Sequence, residues 1–273
     1  MTAFVKKIIL TMTVFAALLQ CGAAFAAPYG FNPEDILAKR AESRFDQAMD
    51  DVNEEFDPYA YSMVGFTIGI DPGHQLTADT AQEQVYPDNE KITKDRMSPG
   101  AVGVRSGTEE YDINLEVSLK LEGLLRAAGA EVIMTRSTND VNISNIERAA
   151  MMNREDVDFW VRIHCNSSRC QSTNGALIIA PGSDMEIHDR SEALGKQVLT
   201  EFCAATGAAC KGVSYTSTQT GFNWSYSPVV TIEMGYLSNP HEDGLLSRDS
   251  YQSSCAEGIF CGIAAFCAEE SEG

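Results

Sequence analysis

Two histidines in this sequence stand at the ends of apolar, β-branched runs. His74 follows Thr67-Ile68-Gly69-Ile70-Asp71-Pro72-Gly73, and His164 follows Val161-Arg162-Ile163. In the first run Pro72 fixes φ and Gly73 supplies backbone freedom, so a strand ends in a tight turn that hands on the histidine. Two strands of one parallel sheet that each end in His can bring both imidazoles to one point. That point is the sheet's C-terminal edge, where open α/β sheets bind ligands. Two His and one carboxylate, with a position left for water, form a common ligand set of hydrolytic zinc sites. The acids that could complete it are Glu109, Glu110 and Asp112, at the start of a helical stretch. Glu110 is well placed, because a carboxylate in an opening helical turn is held by local backbone donors. The sequence has no short HExxH-type motif, so the fold itself must assemble the site. A fourth group has to move protons. Glu233 lies inside Val229-Val230-Thr231-Ile232-Glu233-Met234-Gly235. A carboxylate buried in such a run is costly unless it is paired or used. The competing readings are an ordinary strand end with a surface His, and a core Glu satisfied by Arg or backbone amides.

The elements that must position these groups follow from hydrophobic periodicity. Val117, Leu121, Leu124, Leu125 and Ala128 share one face of a helix over 112–128, which Gly129 stops. Glu131 to Thr135 reads as a short strand and Ile146 to Asn153 as a second helix. Phe159 to Ile163, Gly175 to Ile179 and Val229 to Met234 read as strands, and Ser191 to Thr206 and 247–268 as helices. This alternation predicts an α/β fold: a single layered domain with a largely parallel central sheet flanked by helices, and the site at the strand C-terminal edge. Residues 75 to 108 are polar and broken by Pro and Gly, which predicts a long loop with little structure, leaving directly from His74. Tyr111, Tyr215, Phe222 and Trp224 are candidates for a substrate groove or for the core. His188 reads as a surface residue in a helix lead-in, and His241 as part of a turn.

The chain has 273 residues and a formal net charge of −19. So acidic a chain is a poor partner for nucleic acid, whose phosphates call for Lys and Arg. Its start reads as a secretory signal over 1–26: Lys6 and Lys7, an apolar run from Ile8 to Leu19, and the small-x-small site Ala24-Phe25-Ala26. Residues 27–62 form an acidic arm or linker, and 63–273 the catalytic domain. With the signal removed, no stable membrane span is expected, and the protein would be secreted, extracellular or associated with the cell wall. Cys21 would leave with the signal, and export permits disulfides among the remaining cysteines. Cys203–Cys210 and Cys165–Cys170 are the plausible short-loop bridges.

Six segments, in order, carry a resemblance: Ile70-Asp71-Pro72-Gly73-His74; Glu110-Tyr111-Asp112-Ile113-Asn114-Leu115; Val132-Ile133-Met134-Thr135-Arg136; Glu147-Arg148-Ala149-Ala150 with Asn153; Arg162-Ile163-His164-Cys165-Asn166; and Ile232-Glu233-Met234-Gly235-Tyr236-Leu237-Ser238-Asn239-Pro240. Together, over roughly residues 64–268, the chain resembles the zinc-dependent N-acetylmuramoyl-L-alanine amidases. The resemblance implies that His74, Glu110 and His164 bind Zn2+ and that Glu233 is the catalytic carboxylate. It implies hydrolysis of the amide between the lactyl group of N-acetylmuramic acid and the L-alanine of the stem peptide, with peptidoglycan or muropeptides as the substrate partner. It gives Arg148 and Asn153 an ordering role. Gln75-Leu76 stands where many relatives have Gly-Gly, and Cys165 where Ala is commoner. A zinc peptidase and a non-catalytic wall-binding module are the alternatives.

Overall fold

The computed structural model describes residues 62–272. The leader over 1–26 and all but the last residue of the acidic arm lie outside the described residues. The elements in chain order are β1 (Thr67–Pro72), β2 (Asp79–Tyr86), β3 (Asn89–Met97), α1 (Glu110–Ala127), β4 (Glu131–Met134), α2 (Asn145–Arg154) and β5 (Phe159–Asn166). Then come β6 (Ala176–Pro181), α3 (His188–Thr206), β7 (Cys210–Thr216), α4 (Thr220–Asn223), β8 (Val229–Tyr236), α5 (Pro240–Leu246) and α6 (Asp249–Glu272). Six strands form one sheet in the order β4-β1-β5-β8-β6-β7. The β4, β1, β5 and β8 strands run parallel, β6 is antiparallel to β8, and β7 is parallel to β6. The fold is therefore a single α/β domain with a mostly parallel central sheet flanked by helices.

The sheet's two faces differ because successive strand side chains point to opposite sides. On one face Ile68, Ile70, Val161, Ile163, Val230 and Ile232 pack in the main core. Helices α1, α3 and α6 cover that face with residues at helical spacing, such as Ile113, Val117, Leu121 and Leu125 on α1 and Ile259 and Ile263 on α6. The alternate residues fall on the other face. There a smaller cluster of Ala149, Met152, Trp160, Phe222 and Val229 seats α2 and α4. The α2 helix opens on a capping box: the Ser144 hydroxyl accepts from the Glu147 amide, and the Glu147 carboxylate accepts from the Ser144 amide.

The expectation of an unstructured loop over 75–108 is corrected. Its middle is an antiparallel hairpin, β2 paired with β3. Its strands expose polar side chains and bury few apolar ones, chiefly Val85 and Met97. A hydrophobic reading has little to register there. Strand β7 is also an addition: its residues are almost wholly exposed or half-buried at the sheet edge.

Candidate active site

The period-2 alternation that builds the core also builds the site. Asp71, Arg162, His164, Thr231 and Glu233 occupy the positions between the core-facing residues of β1, β5 and β8. They also stand side by side: Asp71 pairs with Arg162, Arg162 with Thr231, and His164 with Glu233 in the strand register. Just past β1, His74 has φ 59, in the left-handed region. His tolerates this better than most residues, and such a conformation turns its side chain back over the sheet edge. Gly73 is required beside it, since a Cβ there would come within 2.3 Å of the His164 ring.

Glu110, the first residue of α1, lies between the two imidazoles. Its Oε1 is 3.2 Å from His74 Nε2 and 3.2 Å from His164 Nδ1. The same carboxylate accepts hydrogen bonds from the Ala101 amide at 2.7 Å and the Cys165 amide at 3.0 Å. One ligand atom from each of His74, Glu110 and His164 falls within a 4.8 Å cluster. Of the competing acids, Glu109 is the residue that precedes α1, and the Asp112 carboxylate accepts from Asn139 at 2.6 Å. Neither joins the cluster. His188 and His241 also stay out of it; His188 Nδ1 is 2.8 Å from the Pro181 carbonyl.

The electrostatics suit a cation. Burial opposes ionisation of Glu110, but hydrogen bonds to His164 and His74 hold its carboxyl far below the usual range. Burial lowers the His164 pKa to about 4, with Glu110 opposing, so its imidazole is neutral at pH 7. A neutral imidazole and an ionised carboxylate are the forms that coordinate a metal. His164 Nε2 is buried with no hydrogen-bond partner among the described residues. An unpaired buried nitrogen in such a cluster is suited to ligating a metal. The residues fit a metal ion, and two imidazoles with one carboxylate suit zinc.

Glu233 faces the same cleft from β8. Burial raises its pKa to about 8, the Glu110 charge adds to this, and Arg162 opposes it. Its Oε2 is buried without a hydrogen-bond partner among the described residues. The cleft, of about 470 Å³, is lined by His74, His164 and Glu233 together with Arg162, Gln219, Lys94, Asp95 and Met97 of β3, and Ser98 just after it. None of Tyr111, Tyr215, Phe222 and Trp224 lines it, and Phe222 is core.

Beneath the site lies an ionic network of which sequence reading finds only Arg148. Asp71, fully buried, pairs with Arg148 at 2.6 Å and Arg162 at 2.8 Å, and accepts from the Thr135 hydroxyl at 2.6 Å. Arg148 also donates to the carbonyls of Pro72 and His74, and Arg136 to those of Pro72 and Gly73. The turn that carries His74 is thus held by guanidinium groups from α2 and from the segment after β4. Gln75 is buried here: it accepts from the Ile143 amide and Arg148, and donates to Asn142. The signal for this network was present, since Asp71 and Arg162 are charged residues inside apolar strands. Asn153 ties α2 to the segment after α4, donating to the Trp224 carbonyl. The Cys165–Cys170 bridge does not form: Cys165 is buried in the main core, Cys170 exposed. Cys203 and Cys210 are joined.

His74, Glu110 and His164 form a group that could hold a metal ion, and Glu233 faces the same cleft, an arrangement suited to a hydrolase on a mostly parallel α/β sheet. Residues 68–265 match the model of one family, described as N-acetylmuramoyl-L-alanine amidase, and the chain belongs to that family (Amidase_3). The germination-specific N-acetylmuramoyl-L-alanine amidase of Bacillus subtilis is 26% identical over 235 residues, covering 81% of this chain and 87% of its own length. The N-acetylmuramoyl-L-alanine amidase CwlM of Mycobacterium tuberculosis is 26% identical over 67% of this chain, which spans only 47% of that protein. The crystal structure of the N-acetylmuramyl-L-alanine amidase Ami1 from Mycobacterium smegmatis superposes with a TM-score of 0.70 at 23% identity, covering 76% of this chain and 99% of that one.

Proposed function

We propose that the protein is a zinc-dependent N-acetylmuramoyl-L-alanine amidase that hydrolyses the lactyl–L-alanine amide of peptidoglycan. The observation that carries this is the convergence of His74, Glu110 and His164 within one cluster, with an unpartnered Glu233 in the same cleft. His74, Glu110 and His164 would hold the ion. Zinc bound there would supply a Lewis acid for the amide carbonyl and lower the pKa of water.

The chain's own residues do the rest. Glu233 takes a proton from the attacking water as its oxygen bonds to the amide carbon. It then returns that proton to the nitrogen of L-alanine as the C–N bond breaks. The products are a lactyl carboxylate and a peptide with a free amine. A carboxyl whose pKa lies near neutrality can serve as both acceptor and donor. Asp71, Arg148 and Arg136 hold the His74 turn in place, and the Glu110 backbone donors fix the carboxylate between the two rings.

Export by a signal over 1–26, a spacer over 27–62 and action at or outside the cell wall belong to the same proposal. Among the described residues no helix is long and apolar enough to cross a membrane. The test is digestion of muropeptides with mass analysis of the products. Release of intact stem peptide with a free L-alanine amine is expected, lost on chelation and restored by added zinc. Fragments cut within the peptide would point instead to a peptidase. Wall binding without any product would point to a non-catalytic module.

A further inference from the structure

The cleft carries positive charge that the reaction described above does not use. Arg148 and Arg162 share one carboxylate, Asp71, so this corner has one more guanidinium than counter-ion. Arg162 reaches the cleft surface, with Nη1 on Gln219 at 3.2 Å and Nη2 on Asn145 at 2.9 Å. Gln219 Oε1 also accepts from the Thr231 hydroxyl, which fixes the amide and leaves its NH2 group without a hydrogen-bond partner among the described residues. Opposite, on β3, Lys94 lines the same cleft.

We propose that Lys94, with Gln219 and Arg162 beside it, forms a subsite for a carboxylate on the peptide side of the substrate. This rests on the amidase reading, and it names which end of the substrate lies against the hairpin.

The ammonium group of Lys94 has no hydrogen-bond acceptor among the described residues. Burial lowers its pKa, and the Arg162 charge lowers it further; Glu83 opposes. Glu83 stands directly across the hairpin from Lys94. Its Oε2 accepts from the Ile146 amide at 3.1 Å, its Oε1 is buried with no hydrogen-bond partner among the described residues, and no ion pair within 4 Å joins it to Lys94. Asp95 also lines the cleft, but its carboxylate is engaged by Gln82 at 2.6 Å. Two cations held near one another in a partly desolvated cleft repel, and an anion between them removes the cost. The substrate supplies such an anion on one side only. On the sugar side the lactyl carboxyl is consumed in the amide, and the ring substituents are neutral. The stem peptide keeps its carboxylates.

The hairpin is fixed, so Lys94 is placed before the substrate arrives. The Arg96 carbonyl accepts from Asn145 at 2.7 Å, the Val85 carbonyl accepts from Asn223 at 3.0 Å, and Arg96 pairs with Glu147 at 2.9 Å. Preformed charge of this kind discriminates by leaving itself unpaired when the wrong substrate binds.

The test compares two synthetic muramoyl peptides that differ at one group. The residue after L-alanine carries a free carboxylate in one and a carboxamide in the other. The zinc-loaded protein should prefer the acid by about tenfold or more in kcat/KM, the scale of one charge-assisted hydrogen bond. In Lys94→Met the ratio should fall toward one, and Lys94→Arg should restore part of it. Lys91→Met, on the exposed part of the hairpin, should change neither rate nor ratio. An unchanged ratio in Lys94→Met overturns the proposal. So does an equal loss on both substrates, which would place Lys94 at the reacting centre or in the fold. A second arm measures calorimetric binding of alanyl dipeptides with a free or an amidated second-residue carboxyl. If neither muramoyl peptide is hydrolysed, the amidase reading fails, and this arm still decides the subsite. Preference for the acid that vanishes in Lys94→Met supports it, and equal affinities reject it.

Discussion

At the scale of single residues, Glu233 and Asp71 make opposite uses of burial. Glu233 Oε2 has no hydrogen-bond partner among the described residues, and burial raises the carboxyl's pKa to about 8. Asp71 is just as buried, yet Arg148, Arg162 and Thr135 outweigh desolvation and hold its carboxyl far below the ordinary range. Glu233→Gln keeps the shape and removes the proton carrier, so hydrolysis should fall by about 10²–10⁴-fold. Zinc content should stay the same by elemental analysis; unchanged turnover with zinc bound would sink the assignment. Asp71→Asn leaves two buried guanidinium groups uncompensated, and a loss of about 3–5 kcal/mol is expected in chemical denaturation. The sign of the pH effect follows from the depressed pKa. The Asp71 contribution is present above about pH 4, the range where an unfolded Asp titrates, and is lost as pH falls below it. Wild-type stability should therefore drop between about pH 5 and pH 3 more steeply than that of Asp71→Asn. Parallel curves would show that Asp71 does not carry the slope. His74, His164 and Glu233 are legible in sequence because each interrupts or ends an apolar run. Asp71 and Arg162 interrupt runs in the same way. What sequence hides is that they neutralise one another, since that depends on β1 and β5 being neighbours in register.

At the scale of elements, legibility tracks burial. Strands β1, β5 and β8 and helices α1, α3 and α6 pack on the main core, so their apolar periods mark them within a few residues. The β2–β3 hairpin and β7 have no such period. Both are held by backbone pairing and by polar anchors on distant segments, and neither signal is local. The Cys203–Cys210 bridge, between the end of α3 and the start of β7, shows what such an edge strand needs. Closing so short a loop is worth about 2–3 kcal/mol in the chain-entropy picture. A Cys203→Ser, Cys210→Ser double variant should lose about that much in denaturant, and reductant should lower the wild type to match. Zinc affinity should stay unchanged, because β7 is at the far edge of the sheet from β1 and β5. A loss of zinc in the double variant would mean that the edge strand supports the site.

At the scale of the whole molecule, charge is distributed unevenly. The chain carries −19 overall, yet Arg162 and Lys94 line its cleft beside Asp95 and Glu233, with Arg136, Arg148 and the buried Asp71 beneath. Long-range repulsion should slow its approach to any anionic wall polymer, and salt should relieve that within a Debye length of about 8–10 Å. Hydrolysis of walls rich in anionic polymer should therefore speed up as salt rises from low to physiological levels. Hydrolysis of small neutral muropeptides should not. A rate on whole walls that falls over the same range would show that local attraction in the cleft outweighs the overall charge.

The sheet order has a consequence for when the protein becomes competent. The site is built around strands that are adjacent in space and far apart in the chain; Asp71 and Arg162 are separated by 91 positions. Parallel pairings over such distances close large loops and form late in folding. Helix α1 can coil early and still present Glu110 to nothing. A partly folded chain therefore lacks the assembled His74, Glu110 and His164, and if they hold zinc as proposed, the onset of tight zinc binding during refolding should coincide with completion of the central sheet. The metal would then act as a clock for the topology, its capture marking the moment when β5 seats between β1 and β8.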